Sequence, residues 1–192
     1  DDYPADTLSE TIENFHNTPD RVKKFEEAVS NDIAGRAKDV QEEIAFVMDR
    51  KDELGAVMDL QRAGEMPYRV THNDTKLNNI MIDDKTGEAV CVIDLDTIMP
   101  GASVFDYGDS IRFGANTAAE DEKDLDKVYL NMSLFEEYTK GYLNEMASYL
   151  TEEEVCNMGE SIRVLTFELA LRFLNDYING DTYFKTCYDK HN

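Results

Sequence analysis

A chain of 192 residues can bury the core of one domain, and 42% hydrophobic residues with ten Tyr and nine Phe argue against a disordered segment. Forty-one acidic against nineteen basic residues give a net charge of −22. Such a surface repels phosphate backbones and anionic lipid, which argues against nucleic acid and membrane as partners. Three cysteines, Cys91, Cys156 and Cys187, form no CxxC pair. A disulfide framework or zinc site is therefore not expected, and a reducing cytosol fits. Cys91 lies in an apolar run and reads as a buried thiol. No apolar run approaches the ~20 residues of a membrane span. The start, Asp1-Asp2-Tyr3-Pro4, is acidic and unlike the basic head of a signal peptide, so the expected location is cytoplasmic.

One domain, residues 1–192, is expected in three stretches, with no internal repeat. Residues 6–63 read as helical. Thr18-Pro19 offers a capping oxygen and then proline at the first helical position, and Val22, Phe25, Ala28 and Val29 share a face. A longer helical stretch runs over 37–62, with a break near Arg50-Lys51. Its apolar positions include Val40, Ile44, Val47 and Val57 at spacings of three and four. Gly64 to Pro67 ends it.

Residues 68–117 change character. Tyr68-Arg69-Val70 is a short extended piece. Residues 80–82 and 89–93 read as two strands, and the turn formers at 83–87 between them predict a β-hairpin. Pro100-Gly101 breaks the chain again. Residues 120–192 return to helix. Leu125, Val128, Tyr129, Met132, Phe135 and Tyr138 share a helical stripe, and Glu120-Asp121-Glu122 reads as a solvated helix start. Thr151 with Glu154 forms a capping box for a long helix that stops at Asn179-Gly180. The fold class is thus mainly α with a small β-hairpin, not the alternating pattern of a doubly wound sheet.

The chemistry sits in the middle stretch. Residues 72–79 read His-Asn-Asp-Thr-Lys-Leu-Asn-Asn, of the form H-x-D-x-x-x-x-N, and residues 92–97 read Val-Ile-Asp-Leu-Asp-Thr. Phosphoryl transfer explains this set, because the transferred group needs an activated nucleophile and metal ions to balance its charge. Asp74 would accept the proton of a substrate hydroxyl. Asn79 would offer an amide oxygen to Mg2+, and Asp94 a carboxylate. The hairpin would return Asp94 to the side of Asp74 and Asn79. Mg2+ keeps waters and needs few protein oxygens. Asp96 is an additional metal ligand or a solvated carboxylate.

The segment 72–79 with Asp94 resembles the aminoglycoside phosphotransferase and choline kinase family of the protein-kinase-like superfamily. The resemblance implies ATP and Mg2+ as cofactors. It assigns Lys76 to the transferred phosphate, His72 to holding the catalytic loop, and Asp106 to bracing that loop, with Asp109 as the alternative brace. The strings at 72–79, 92–101 and 105–116 further resemble the N-acetylhexosamine 1-kinases, as do residues 171–177 and 180–184. That resemblance implies a sugar acceptor phosphorylated at its anomeric hydroxyl. It also implies that Arg172 and Tyr183, eleven residues apart, bind the sugar. Family members have an N-terminal lobe with a nucleotide-covering loop and a phosphate-binding Lys. Neither is found before residue 68, so the expectation is a C-terminal lobe whose partner is the missing N-terminal lobe of the same polypeptide. The fragment alone is expected to be inactive.

Other classes remain. Choline, homoserine or an aminoglycoside could replace the sugar. Asp94-Leu95-Asp96-Thr97 also matches the D-x-D-x-T of haloacid dehalogenase phosphatases, in which the first Asp is a nucleophile. That motif normally opens a Rossmann-like domain and leaves residues 72–79 unexplained. The third class is an inactive binding module on the same fold.

Overall fold

The computed structural model describes residues 3–188 and 190–192; the acidic Asp1-Asp2 start lies outside them. Helices dominate, with two small antiparallel ladders.

Helix α1 (Thr18–Asn31) starts one residue earlier than the sequence suggests. Asn17 is the cap and accepts from the Asp20 N–H, while Thr18 is buried as the first helical residue. The reason is that the Thr18 hydroxyl is used elsewhere, donating to Glu168 at 2.8 Å. The helical stretch after it is broken as expected, into α2 (Gln41–Met48) and α3 (Ala56–Ala63), with 3-10 turns at 37–39 and 51–53. Gly64 closes α3 at φ +75°, a conformation that costs glycine little.

The middle stretch holds β1 (Arg69–Thr71), β2 (Ile80–Ile82), β3 (Ala89–Val92) and β4 (Met99–Gly101). The expected hairpin is present, with Ile80 opposite Val92 and a bulge after Met81. Its loop is tied by Asp83, whose carboxylate accepts from the Lys85 and Thr86 N–H groups. A second ladder, β1 with β4, places Val70 opposite Pro100. Cys91 is exposed on the hairpin, not buried, because nothing among the described residues covers that sheet face. Residues 103–114 form helix α4 (Ser103–Gly114) where no helix was expected.

The C-terminal stretch gives α5 (Met132–Met146) and α6 (Glu152–Ile178). The stripe from Leu125 to Tyr138 is not one helix. Leu125 lies in a 3-10 turn, Leu130 bridges to Asn116, and α5 starts only after the Asn131 cap. Glu120 is no helix start but an ion-pair partner of Arg112 at 2.8 Å.

Helix α6 is the axis of the molecule. On one side Val164, Leu165 and Met158 pack with Phe105, Tyr107 and Ile111 of α4 and with Val57. On another, Phe167, Leu171 and Ile178 pack with Val22 and Phe25 of α1 and with Val47 and Leu54. The α4–α6 crossing is close because position 108 is glycine. A Cβ there would meet the Ser161 backbone at 2.8 Å, and backbone cannot swing aside. The capping box of α6 does more than cap. Glu154, fully buried, accepts from the Thr151 N–H, from Ser103 at 2.6 Å, and from Arg69 Nε at 2.6 Å and Nη2 at 2.7 Å. One carboxylate thus ties the starts of β1, α4 and α6. Burial pushes its pKa up, but the Arg69, Ser103 and Thr151 donors outweigh that and bring it down to about 2.

Candidate active site

Strand β1 delivers the chain into the loop at 72–79, and the loop is held from several sides. The Asp106 carboxylate, one turn into α4, accepts from the His72 N–H at 2.8 Å and the Asn73 N–H at 2.7 Å. Those bonds fix Asn73 at φ +65°, a left-handed conformation that Asn tolerates. The Asn73 side chain donates to the Thr97 carbonyl at 2.9 Å and accepts from Thr71. Thr75 donates to the Asp106 carbonyl at 2.6 Å. Gly101 permits the approach of β4, since a Cβ there would lie 2.4 Å from Thr71 Oγ1 and 2.9 Å from Asn73 Oδ1. Burial pushes the Asp106 carboxyl up, against the pull of its two N–H donors.

His72 has one tautomer that satisfies both ring nitrogens. Nε2–H donates to the Ile93 carbonyl at 3.1 Å, and Nδ1 accepts from the Asp74 N–H at 3.3 Å. The ring therefore spans the loop and the end of β3. Asp74 is oriented by two donors on one oxygen: Lys76 Nζ at 2.7 Å and Asn79 Nδ2 at 3.0 Å both reach Oδ2. Oδ1 accepts no hydrogen bond from the described residues. Asn79 is buried, and its Nδ2 also donates to the Asp74 carbonyl at 2.8 Å, which leaves its Oδ1 as an open acceptor.

Asp94 follows β3 in a left-handed turn at φ +62°. The Ile93 N–H donates to the Asn79 carbonyl at 2.9 Å, which ties the residue before Asp94 to Asn79. Asn79 and Asp94 offer an amide oxygen and a carboxylate with no competing partner. A small hard cation that retains water would accept such a set, so the donors fit Mg2+. Asp96 is exposed in the 3-10 turn at 95–97, and no hydrogen bond draws its carboxylate toward Asn79. No group of three or more His, Cys, Asp or Glu side chains forms a metal cage among the described residues. A sparse site completed by substrate phosphates needs none.

Among the described residues no hydrogen bond joins Asp109 to the catalytic loop. Arg112 takes its Oδ1 through Nε at 3.0 Å and Nη2 at 2.8 Å, while Oδ2 is buried with no partner. The brace is Asp106, because residues 106 and 110 are the ones α4 turns toward the loop; Ser110 reaches the Thr75 carbonyl at 3.3 Å. Asp109, on the adjacent face, lines the open cleft of ≈ 1530 Å³ that also contains Asp74, Lys76, Arg172 and Tyr183. The loop after α6 is shaped by Asp176. Its carboxylate accepts from the N–H groups of Thr182, Tyr183 and Phe184 at 2.8 to 2.9 Å. Burial raises the Asp176 pKa, but those three donors more than reverse it and leave the group below the ordinary range. This loop brings Tyr183 to 5.9 Å and Phe184 to 5.4 Å from the Arg172 guanidinium. No ion pair or hydrogen bond engages Arg172 among the described residues.

Sequence reasoning missed His16, Arg21, Arg112 and Glu168. His16 precedes the first helix and carried no motif. Glu168 sits in the apolar stripe of α6, and a carboxylate at a core position was the available signal.

The family model described as a phosphotransferase enzyme family, APH, matches residues 6–147. The chain belongs to this family, which makes it a phosphotransferase. The haloacid dehalogenase alternative falls with this match and with the fold. That chemistry sits on a Rossmann-like parallel sheet, and the described residues form only antiparallel two-stranded ladders. No helix among the described residues is long and apolar enough to cross a membrane.

Proposed function

We propose that the chain is the catalytic, C-terminal lobe of an ATP- and Mg2+-dependent cytoplasmic kinase that phosphorylates an N-acetylhexosamine at its anomeric hydroxyl. The observation that carries this reading is the pairing, in one cleft, of an Asp74 with one oxygen free and an unengaged Arg172 set against Tyr183 and Phe184. A guanidinium over aromatic rings suits a polar, ring-shaped acceptor with carbonyl and hydroxyl oxygens. The unpartnered Asp109 oxygen would accept from an acceptor hydroxyl or amide N–H, as a buried carboxylate oxygen requires.

In this reading Asp74 Oδ1 takes the proton of the acceptor hydroxyl, while Lys76 and Asn79 hold Oδ2 and fix the carboxylate plane. Lys76 would also meet the transferred phosphate. Asn79 and Asp94, with Asp96 as a further candidate, would hold Mg2+, which neutralises phosphate charge when bound. The other lobe of the same polypeptide would lie on the hairpin side. There Met81, Ile82, Val90 and Val92, spread over the two faces of the hairpin, are each 48–67% exposed, and monomers seldom leave apolar side chains so clustered uncovered.

A second reading, a cationic alcohol such as choline or an aminoglycoside, is favoured by the uncompensated Asp109 oxygen and the net charge of −22. ADP release by the polypeptide with both lobes, assayed against N-acetylhexosamines, choline, homoserine and aminoglycosides, separates the two. Turnover only on a non-sugar alcohol would overturn the sugar assignment. Asp74→Asn should lower kcat by about 10²–10⁴-fold. Near-normal turnover of that variant would remove Asp74 as the base.

A further inference from the structure

His16 lies in the segment before α1, yet its ring is packed against Phe15 and Phe105 and wedged between two elements of the active site. Nδ1 is 3.0 Å from Glu168 Oε1, and Nε2 is 2.9 Å from the Asn73 carbonyl oxygen. A carbonyl oxygen can only accept, and an ionised carboxylate can only accept. Both ring nitrogens must therefore carry hydrogen for both contacts to be hydrogen bonds, which makes the ring an imidazolium. Asn73 immediately precedes the base Asp74. Glu168 stands one helical turn before Arg172, on the same face of α6.

The geometry points to His16 as a positioning residue, a protonated strut that sets the distance between the base-bearing loop and the acceptor-binding helix. This rests on the kinase reading above for its functional meaning, though not for its physical state. Glu168 is built to keep the strut charged. It is 2% exposed, it takes Thr18 Oγ1 on its other oxygen at 2.8 Å, and Arg21 Nε lies 3.3 Å from Oε1. The charges facing His16 are Glu168 from α6, Asp106 and Asp109 from α4, and Arg21 from α1, with Arg172 beyond Arg21. Carboxylates dominate that set. Burial works to discharge the imidazole, but Glu168 and the Asn73 carbonyl outweigh it, so the His16 pKa lies above the ordinary histidine value. Burial likewise opposes a charged Glu168, and His16 and Arg21 outweigh it, so the Glu168 pKa lies below the ordinary carboxyl value.

The pH window follows from those two directions. The His16 contribution is complete below the ordinary histidine pKa and is lost as pH rises through its raised folded value. The Glu168 contribution is present above the ordinary glutamate pKa and is lost as pH falls through its depressed folded value. Between those limits the strut is intact. Above the upper limit the imidazole keeps one N–H. The carboxylate is the stronger acceptor, so Asn73 loses its donor.

The test uses 15N NMR of this chain, which has three histidines, with His16→Gln to assign the signal. His16 should be protonated on both nitrogens at pH 6, with a midpoint above the ordinary value. Glu168→Gln should lower that midpoint, and the Asp74 amide resonance should follow the same titration. A ring with a single N–H at pH 6, a midpoint untouched by Glu168→Gln, or an Asp74 amide blind to His16 would each overturn the proposal. None of these readouts needs turnover, so they stand or fall apart from the kinase assignment. In the two-lobe enzyme, His16→Gln should reduce kcat by up to about 10²-fold with KM for ATP unchanged, as misplacement of a reacting group by ~1 Å does. Glu168→Gln should move the alkaline limb of the kcat profile to lower pH in step with the NMR midpoint. A fall in Tm with kcat and that limb unmoved would show a purely structural histidine and refute the strut.

Discussion

The loop carrying Asp74 and the hairpin that leads to Asp94 lie side by side, yet they are built in opposite ways. The loop is gripped through its backbone by Asp106, through its side chains by Thr71 and Thr97, and at the Asn73 carbonyl by His16. The hairpin has its own ladder and two links to the loop, from the Ile93 N–H to Asn79 and from His72 Nε2 to the Ile93 carbonyl. Its apolar side chains face solvent. The difference teaches that the position of Asp74 is set within this chain, whereas the position of Asp94 rests on a two-stranded ribbon that is only marginally stable alone.

Removing the support of the gripped region should therefore be costly. Glu154→Gln strips a buried carboxylate from Arg69 and Ser103, and loss of one member of a buried pair costs about 3–5 kcal/mol. The folded pKa of Glu154 is depressed to about 2, so its stabilisation is present above the ordinary glutamate value and fades as pH falls toward 2. Thermal unfolding should show a large gap between wild type and variant at pH 7 that closes in acid. A gap independent of pH would refute the ion-pair account. Asp106→Asn comes next. The two N–H groups of His72 and Asn73 go to different carboxylate oxygens, and in the amide one of those oxygens becomes an NH2 that cannot accept, so the loop loses its fixed turn, and kcat should fall by about 10²-fold. A variant with intact kcat would show that Asp106 is not the brace. Smaller again is Gly101→Ala, whose methyl would crowd Thr71 Oγ1 at 2.4 Å. Overpacking of this kind costs about 1–3 kcal/mol. Gly141→Ala on α5, with open space at the Cβ, should be neutral or stabilising by up to about 1 kcal/mol. Equal Tm shifts for the two would remove the steric argument.

The same contrast explains what could be read from the sequence. The hairpin was legible because its turn chemistry is local: Asp83 and Gly87 need only their own neighbours. The capping box of α6 was legible for the same reason. Helix α4 was not, because Val104, Phe105, Tyr107 and Gly108 are poor helix formers and the helix is buried nearly all round, which erases the amphipathic period. The β1–β4 ladder was hidden by Pro100-Gly101, which reads as a break; in a two-stranded ladder proline can sit where its missing N–H would face outward. The motif at 72–79 gave the loop, and the structure shows what holds it. The grips supplied by His16 and Glu168 come from residues 152 positions apart, a pairing no local pattern encodes.

The smallest expected effect probes the weakly held side of the comparison. Val90 is 67% exposed and sits at the bulge, where the register skips from Cys91 to Ala89. Val90→Lys should change the stability of this chain by no more than about 0.5 kcal/mol, because a solvated site has little packing to lose. Amide exchange should also be faster across β2 and β3 than across α4, whose side chains are almost all buried. In a polypeptide whose second lobe covers the hairpin, the same lysine would lose the burial of a valine, about 1.5 kcal/mol or more, and would be forced to desolvate a charge. Urea unfolding of the two polypeptides side by side thus reports what covers the hairpin. A full-sized penalty already present in the 192-residue chain would show that the sheet face is packed by this chain itself, and would erase the contrast between loop and hairpin.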